Sequence, residues 1–170
     1  MHTPQQGSGH RRCSIGHFPG VSTTLFTVRI AQPQDAAAIV QLEQQCVQES
    51  EGFRGSAQLL STAPLIGNDL EHVLTHVNQS VFVVVSSGEI CGYAQMEFVD
   101  SVAMVRRVYV HLTARDLGAG ATLIDELRNH AKLRGCTRID AYALPGDRLT
   151  KNLFERAGMK ARLLIASSEL

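Results

Sequence analysis

Two glycines that follow a predicted strand could bind an anion. Residues 115–120 read Arg-Asp-Leu-Gly-Ala-Gly, and Gly118 and Gly120 stand where the strand Val108 to Val110 passes into a long helix. The first N–H groups of a helix lack intrahelical partners and carry a positive partial charge. Glycine has no Cβ, so a diphosphate could approach these groups closely. Two glycines could equally serve to shape a tight connection, so the pair alone does not decide between the two roles.

The spacing of cysteine and histidine does not favour a metal site. The cysteines are Cys13, Cys46, Cys91 and Cys136. They lie far apart and form no CxxC pair, which favours free thiols in a reducing cytoplasm over a zinc or redox site. His72 and His76 have helical spacing, but no HExxH pattern accompanies them. We therefore expect a cytoplasmic protein without a bound metal.

Charge is unevenly distributed along the chain although the net charge is zero. Between residues 31 and 105 one arginine stands against nine acids, whereas between residues 106 and 162 twelve Lys or Arg stand against six acids. Chance could give this asymmetry, and so could a basic half that attracts a polyanion and an acidic half that receives a cationic acceptor. The basic residues are not clustered with aromatics, and no apolar run approaches roughly 18 residues. We expect neither a nucleic acid nor a membrane as partner.

The hydrophobic pattern predicts one domain of mixed α/β class, residues 27–170. Residues 1–26 contain no acid and no periodicity, and we interpret them as a disordered leader, an alternative-start segment or a cloning remnant. The predicted strands are 27–30, 81–85, 90–98, 103–111, 138–144 and 160–166, and the predicted helices are 35–47, 69–77, 118–134 and 148–157, with one helical turn at 57–60. The order βααβββαβαβ gives a central mixed sheet of six or so strands flanked by helices, with an antiparallel meander of three strands.

In this context the glycine turn resembles a motif of the GNAT superfamily of N-acetyltransferases. The pattern Arg115-x-x-Gly118-x-Gly120, between a hydrophobic strand and an amphipathic helix, is similar to the superfamily's R/Q-x-x-G-x-G/A motif. Three flanking segments resemble its opening strand, third strand and closing helix: 28–31, 92–94 and 154–159. The resemblance covers about residues 28–166 and implies an acyl-CoA N-acyltransferase fold.

The resemblance also implies acetyl-CoA as co-substrate and assigns residues to it. The backbone of Val108, Tyr109 and Val110 would bind the pantetheine arm in a splay between this strand and the 138–144 strand. Backbone amides of the turn would hold the pyrophosphate, and these belong to Arg115, Asp116, Leu117, Gly118, Ala119, Gly120 and Ala121. Asp147 or Asn152 stands where the family often has an Asn that contacts the cofactor.

The groups that would move protons are less clear, because the family's pattern is broken at one position. The family commonly has a tyrosine four residues before the glycine of its closing helix, to protonate the departing thiolate, and this chain has Phe154 there. Tyr142 is a candidate substitute, although it could be an ordinary strand tyrosine. His111 and Glu97 are the candidate bases, and bulk water could also serve. A strand amide near Val110 is expected to polarise the thioester carbonyl.

Two functions of different classes follow from these residues. The first is an N-acetyltransferase that transfers the acetyl group of acetyl-CoA directly to an amine of a small molecule or protein, with Glu49, Glu51 and Asp69 favouring a cationic acceptor. The alternative is a catalytically weak or inactive acyl-CoA-binding sensor or regulatory module, favoured by Phe154. The short C-terminal end leaves open a homodimer in which a second subunit completes the acceptor site. A Rossmann unit is disfavoured because only two of its three glycines are present.

Overall fold

The computed structural model describes residues 25–166 and residue 168. The predicted leader, residues 1–26, lies outside this range apart from its last two residues. The strands are β1 (Thr27–Ile30), β2 (Gln79–Ser86), β3 (Glu89–Val99), β4 (Val102–Val110) and β5 (Arg138–Ala141). The helices are α1 (Ala36–Ser50), α2 (Ser56–Thr62), α3 (Leu70–Thr75), α4 (Leu112–Arg115), α5 (Ala119–Leu133) and α6 (Arg148–Arg156). Two 3₁₀ turns, Pro33–Asp35 and Gly67–Asp69, lead into α1 and α3.

The described strands form one mixed sheet in the order β1-β2-β3-β4-β5. Neighbours from β1 to β4 are antiparallel, whereas β4 and β5 run parallel. The parallel pair requires a crossover, and α5 provides it. The predicted meander and the mixed α/β class are therefore confirmed.

Helices cover both faces of the sheet. On one face lies α5, whose predicted inner stripe is buried: Leu123, Ile124, Leu127 and Ala131. On the other face α1 and α3 pack around Tyr93 and Tyr109. Residues Val81 to Val84 of β2 are all buried, because each face of this central strand meets a helical layer.

A β-bulge at Arg106 interrupts the regular alternation of β4. In the pairing with β3, Gln95 is opposite Arg107 and Met96 is opposite Val105, so Arg106 has no partner. An extra residue shifts every later side chain to the other face of the strand. Val105 and Val108 consequently both belong to the α5-side core, although an unbulged strand would place them on opposite faces.

The strands β4 and β5 separate after a short stretch of pairing. Residues Val102–Val105 pair with Arg138–Ala141, and the Tyr142 N–H then donates to the Val105 carbonyl at 3.3 Å. Beyond this bond β4 continues to Val110, while the chain that follows β5 turns at Pro145 and Gly146 toward α6. Among the described residues, the C-terminal half of β4 therefore has a strand neighbour on its β3 edge only.

The final predicted strand, residues 160–166, is not formed. These residues have no regular structure, and Leu163, Leu164 and Ile165 are exposed. Apolar composition favoured a strand, but a strand exists only through pairing, and no described strand pairs with this segment. The described sheet therefore has five strands rather than six.

Two helical segments also differ from the prediction. The single turn expected at 57–60 is part of α2, which has seven residues, and α4 was not predicted. The side chain of His111 caps α4 by accepting the Thr113 N–H. A helix of four residues is too short to show hydrophobic periodicity, so the sequence did not predict it.

Glu43 holds the segment between α2 and α3 against α1. Its buried carboxylate accepts the N–H groups of Ile66 and Gly67, each at 2.8 Å, and the Tyr93 hydroxyl at 3.4 Å. Gly67 lies so close to α1 that a Cβ would sit 2.5 Å from the Val40 side chain. The segment between α2 and α3 has no backbone acceptors of its own for these two N–H groups, and the buried Glu43 carboxylate accepts them instead.

We expect Glu43→Ala to lower the free energy of unfolding by about 2–4 kcal/mol, because buried N–H groups lose their acceptor. Urea denaturation followed by circular dichroism measures the change. The control is Gln44→Ala, an exposed neighbour on the same helix, which should change stability by at most about 0.5 kcal/mol. Equal stability of the two variants would contradict the assigned role of Glu43.

Candidate functional site

A cavity lies where β4 and β5 separate. Val108, Tyr109 and Val110 line it along the unpaired edge of β4. On the α5 side, which faces the glycine turn and α6, it is lined by Asp116, Gly120, Asn152, Leu153 and Arg156. On the α1 side it is lined by Cys46, Glu49, Ser50, Phe53 and Leu59. The cavity thus joins the N-terminal end of α5 to the opposite face of the sheet.

The edge of β4 presents backbone groups to this cavity. The His111 N–H donates to the Cys91 carbonyl of β3 at 2.8 Å. Because hydrogen-bonding direction alternates along a strand, the Tyr109 N–H also faces β3, and the N–H groups of Val108 and Val110 face the cavity. These N–H groups can donate hydrogen bonds to an extended ligand that runs beside β4, as they would to an added strand.

The N-terminus of α5 is open to an anion. Gly118 is the N-cap residue with a φ of 98°, which glycine adopts without strain, and no side chain of the described residues caps the helix. The first N–H groups, those of Ala119, Gly120 and Ala121, have no intrahelical acceptor. Leu117 and Ala121 are exposed beside them. The turn therefore offers N–H groups without intrahelical acceptors, together with the positive end of a helix.

Gly120 has a packing role that the sequence did not reveal. A Cβ at this position would lie 2.9 Å from Cδ1 of Leu153, which belongs to α6. The absence of a side chain thus lets α6 approach α5 closely. The contact is with the end of a flexible side chain, which can move aside, so it adds to the ligand access predicted from the sequence and does not replace it.

Arg115 points back from the turn toward the sheet. Its Nε donates to the Val110 carbonyl at 2.7 Å, and its Nη2 lies 2.6 Å from a Glu49 carboxylate oxygen. The guanidinium also stacks over the ring of Tyr109, 5.2 Å from its centroid, and the Tyr109 hydroxyl donates to Glu49 at 2.7 Å. Burial, together with this bond to a carboxylate, raises the pKa of Tyr109 well above its ordinary range. Arg115 therefore connects α1, β4 and the turn through its side chain.

Asp147 and Asn152 both line the cavity, but they are not equivalent. The Asp147 carboxylate accepts the Thr150 N–H at 2.9 Å and so caps α6. Asn152 is exposed on the cavity wall one helical turn further on. The Asn152 side-chain amide can donate and accept hydrogen bonds, and unlike the Asp147 carboxylate it is not needed to cap α6.

The structure brings Glu97 and Tyr142 together and leaves His111 apart from them. Arg106 links the first two, since its Nε donates to Glu97 at 2.6 Å and its Nη1 to the Tyr142 hydroxyl at 2.9 Å. Tyr142 lines the cavity, whereas Glu97 stays behind Arg106 as its ion-pair partner. His111 caps α4 outside the cavity lining, and Phe154 is buried in the α5-side core.

Sequence reasoning missed Arg106 and Arg107, which both line the cavity. Arg107 is 6% exposed, and its Nη2 donates to the carbonyl of Ala63 at the end of α2. Two adjacent charges inside a strand with apolar flanks were the available signal, because arginine is rarely buried without a specific partner. The bulge at Arg106 explains how both fit.

Neither a metal cluster nor a membrane span occurs in residues 25–166 and 168. No group of three or more His, Cys, Asp or Glu in these ranges is arranged to hold a metal ion. No helix there is long and apolar enough to cross a membrane. Cys46, Cys91 and Cys136 are free thiols, and burial raises the pKa of the Cys46 thiol.

Solved structures with this fold include several acetyltransferases. A mutant of the BH1408 protein from Bacillus halodurans has a TM-score of 0.70 at 14% identity, with 85% of this chain and 99% of that chain covered. Ribosomal-protein-alanine N-acetyltransferase from Brucella melitensis biovar Abortus 2308 has a TM-score of 0.64 at 16% identity, with 85% and 99% covered. Aminoglycoside N-acetyltransferase AAC(6')-Iy in complex with CoA has a TM-score of 0.63 at 14% identity, with 85% and 100% covered.

Sequence comparison identifies the family directly. Curated protein sequences give no significant match. The model of the Acetyltransferase (GNAT) family, however, matches residues 38–159, which include the sheet from β2 to β5, the glycine turn and α6. The match covers more than half of the chain, so the protein belongs to the GNAT acetyltransferase family.

Proposed function

We propose that the protein is an N-acetyltransferase that transfers the acetyl group of acetyl-CoA directly to an amine. The observation that carries this proposal is the continuity of one cavity from the uncapped N-terminus of α5, along the unpaired edge of β4, to the α1 side of the sheet. An extended polyanionic ligand and a second molecule can meet there from opposite faces.

The residues present fit acetyl-CoA. The N–H groups of Ala119, Gly120 and Ala121 would hold the pyrophosphate, and the N–H group of Val110, next along the cavity, would bond the pantetheine arm. Asn152 is the side chain best placed to add a polar contact, since Asp147 already caps α6. Asp116 is exposed beside the turn, lines the cavity and forms no ion pair within the described residues. Its negative charge would therefore lie near the pyrophosphate.

Acetyl-CoA supplies an acetyl thioester, and transfer forms one amide bond, breaks the carbon–sulfur bond and leaves the CoA thiol. The amine attacks in its neutral form. Its ammonium form must therefore first lose a proton, and water in the cavity can take this proton. The Val108 N–H, which is directed into the cavity nearer to Tyr142 than the Val110 N–H expected from the sequence, would stabilise the negative charge that develops on the carbonyl oxygen. These tasks require orientation and a hydrogen-bond donor, and the β4 edge provides both.

Tyr142 is the proposed proton donor to the departing sulfur. Its hydroxyl oxygen accepts a hydrogen bond from Arg106, so its own hydrogen is free for a second acceptor. Phe154 has no proton to donate, and its ring is packed in the core. Glu97 then acts as a positioning residue, because it fixes Arg106, which in turn orients Tyr142.

The amine acceptor would bind on the α1 side of the cavity. Cys46, Ser50, Phe53 and Leu59 form a mixed apolar and polar wall there. Phe53 belongs to the segment between α1 and α2. A non-catalytic acyl-CoA-binding module remains the second candidate, because Phe154 replaces the proton donor that the family commonly has.

Acetyl-CoA titration and free-thiol release across a panel of amines test the proposed function together. Calorimetry measures binding, and a thiol reagent measures turnover. Binding with amine-dependent release supports the N-acetyltransferase. Binding without release for every amine favours the second candidate, and absence of binding contradicts both.

We expect Ala121→Glu to weaken acetyl-CoA binding at least about tenfold, because a carboxylate in the first turn of α5 repels the pyrophosphate. The fold should be retained, since Ala121 is exposed and acids are favourable in the first turn of a helix. Calorimetry measures the dissociation constant. The matched control is Ala37→Glu, an equally exposed alanine in the first turn of α1, which should bind as the unaltered protein does. Equal affinity of both variants would show that the turn is not the phosphate site.

We expect Tyr142→Phe to lower kcat about 10- to 100-fold with little change in the affinity for acetyl-CoA. The loss is at the lower end for a general acid because a thiolate is a fair leaving group even without protonation. Steady-state thiol release gives kcat. Tyr93→Phe is the control, since it removes a hydroxyl that contacts Glu43 and does not line the cavity. An unchanged kcat in the Tyr142 variant would exclude this residue as the proton donor.

A further inference from the structure

Arg107 is a buried cation without a counter-ion. It is 6% exposed, and among residues 25–166 no carboxylate forms an ion pair with it. Its Nη2 donates to the Ala63 carbonyl, but its Nε has no acceptor. Burying a charge is costly unless it is paired and its donors are used. This position therefore calls for an anionic partner.

The Arg107 side chain lies on the α1 side of the sheet, at the wall of the cavity. Arg107 lines the cavity beside Val108, where the unpaired edge of β4 begins. Its bond to Ala63 places the guanidinium by the end of α2, near Leu59 and Cys46 of the same wall. This is the side assigned above to the amine acceptor, across the sheet from the N-terminus of α5.

Acidic groups near this wall are already engaged with other partners. Glu43 accepts the N–H groups of Ile66 and Gly67, and Glu49 is bound to Arg115 and Tyr109. Asp147 caps α6.

The remaining titratable group on this wall does not supply a negative charge either. Burial is the largest influence on Cys46 and raises its pKa, although the neighbouring Arg107 acts in the opposite direction, so the thiol adds no negative charge near neutral pH. The other two cavity arginines on β4 and in the turn, Arg106 and Arg115, are paired with Glu97 and Glu49. Arg107 alone of the three offers an unpaired positive charge.

We propose that the amine acceptor carries a carboxylate and that Arg107 binds it, so that the substrates are amino carboxylates such as free amino acids. The inference rests on the proposed N-acetyltransferase function and specifies its acceptor. A guanidinium matches a carboxylate in both charge and planar geometry, and no carboxylate of the described residues forms an ion pair with Arg107. A polycationic acceptor would instead bring positive charge against Arg107.

The test compares free amino acids with the corresponding amino-acid amides, in which a neutral group replaces the carboxylate. Thiol release in the presence of acetyl-CoA gives kcat/KM for each compound, and spermidine and kanamycin represent polycationic acceptors. We expect the best amino acid to exceed its amide by about 10- to 100-fold. Arg107→Met should bring this ratio close to one while acetyl-CoA still binds, and Arg107→Lys should keep part of the preference.

Arg162→Met, an exposed arginine outside the cavity lining, is the control and should leave the ratio unchanged. Equal rates for acids and amides, or a preference for spermidine or kanamycin, would overturn the inference while the N-acetyltransferase function stands. A preference that survives in Arg107→Met would also overturn it. Acetyl-CoA binding without release for any amine would refute the proposed function and this inference with it. If Arg107→Met does not fold, the ratio in the unaltered protein and in Arg107→Lys still decides.

Discussion

Backbone N–H and C=O groups inside a protein need partners, and the C-terminal half of β4 lacks them on one edge. Pairing with β5 ends at the bond between Tyr142 and Val105, and β4 runs on to Val110. Arg115 satisfies the Val110 carbonyl, but the N–H groups of Val108 and Val110 still face the cavity. Buried backbone donors are nearly always satisfied in native proteins. The cavity exists because the strands separate, and the same separation leaves these N–H groups able to bond a ligand that lies beside β4.

The bulge at Arg106 makes this arrangement compatible with a packed core. Without it, the alternation of β4 would send either Val105 or Val108 out of the α5-side core, where both are buried. With it, Arg106 reaches Glu97 and Tyr142, while Arg107 reaches Ala63. One inserted residue thus satisfies the hydrophobic packing and delivers two arginines to the cavity.

Much of the fold could be predicted from the sequence because its signals are local. The apolar run of β2, the meander turns and the inner stripe of α5 are periodic patterns within single elements, and the glycine turn follows from φ and helix-end chemistry. The separation of β4 from β5 is a relation between distant segments, so no local pattern reveals it. Residues 160–166 show the reverse error, since strand-like composition predicted a strand that has no partner. For Gly120 the position was predicted, but the packing against Leu153 depends on how α5 and α6 approach each other.

The uneven charge of the chain acquires a different meaning in three dimensions. Taken along the sequence, the acids before residue 105 suggested a surface for a cationic acceptor. In the structure, acids of that first half pair with arginines of the second half: Glu97 with Arg106, and Glu49 with Arg115. These two pairs join elements that border the cavity, so they help to hold the site together. Among the described residues, the α1 side of the cavity keeps Arg107 as a cation without an ion pair, which favours an acceptor that also carries a negative charge, whereas the sequence alone suggested a cationic acceptor.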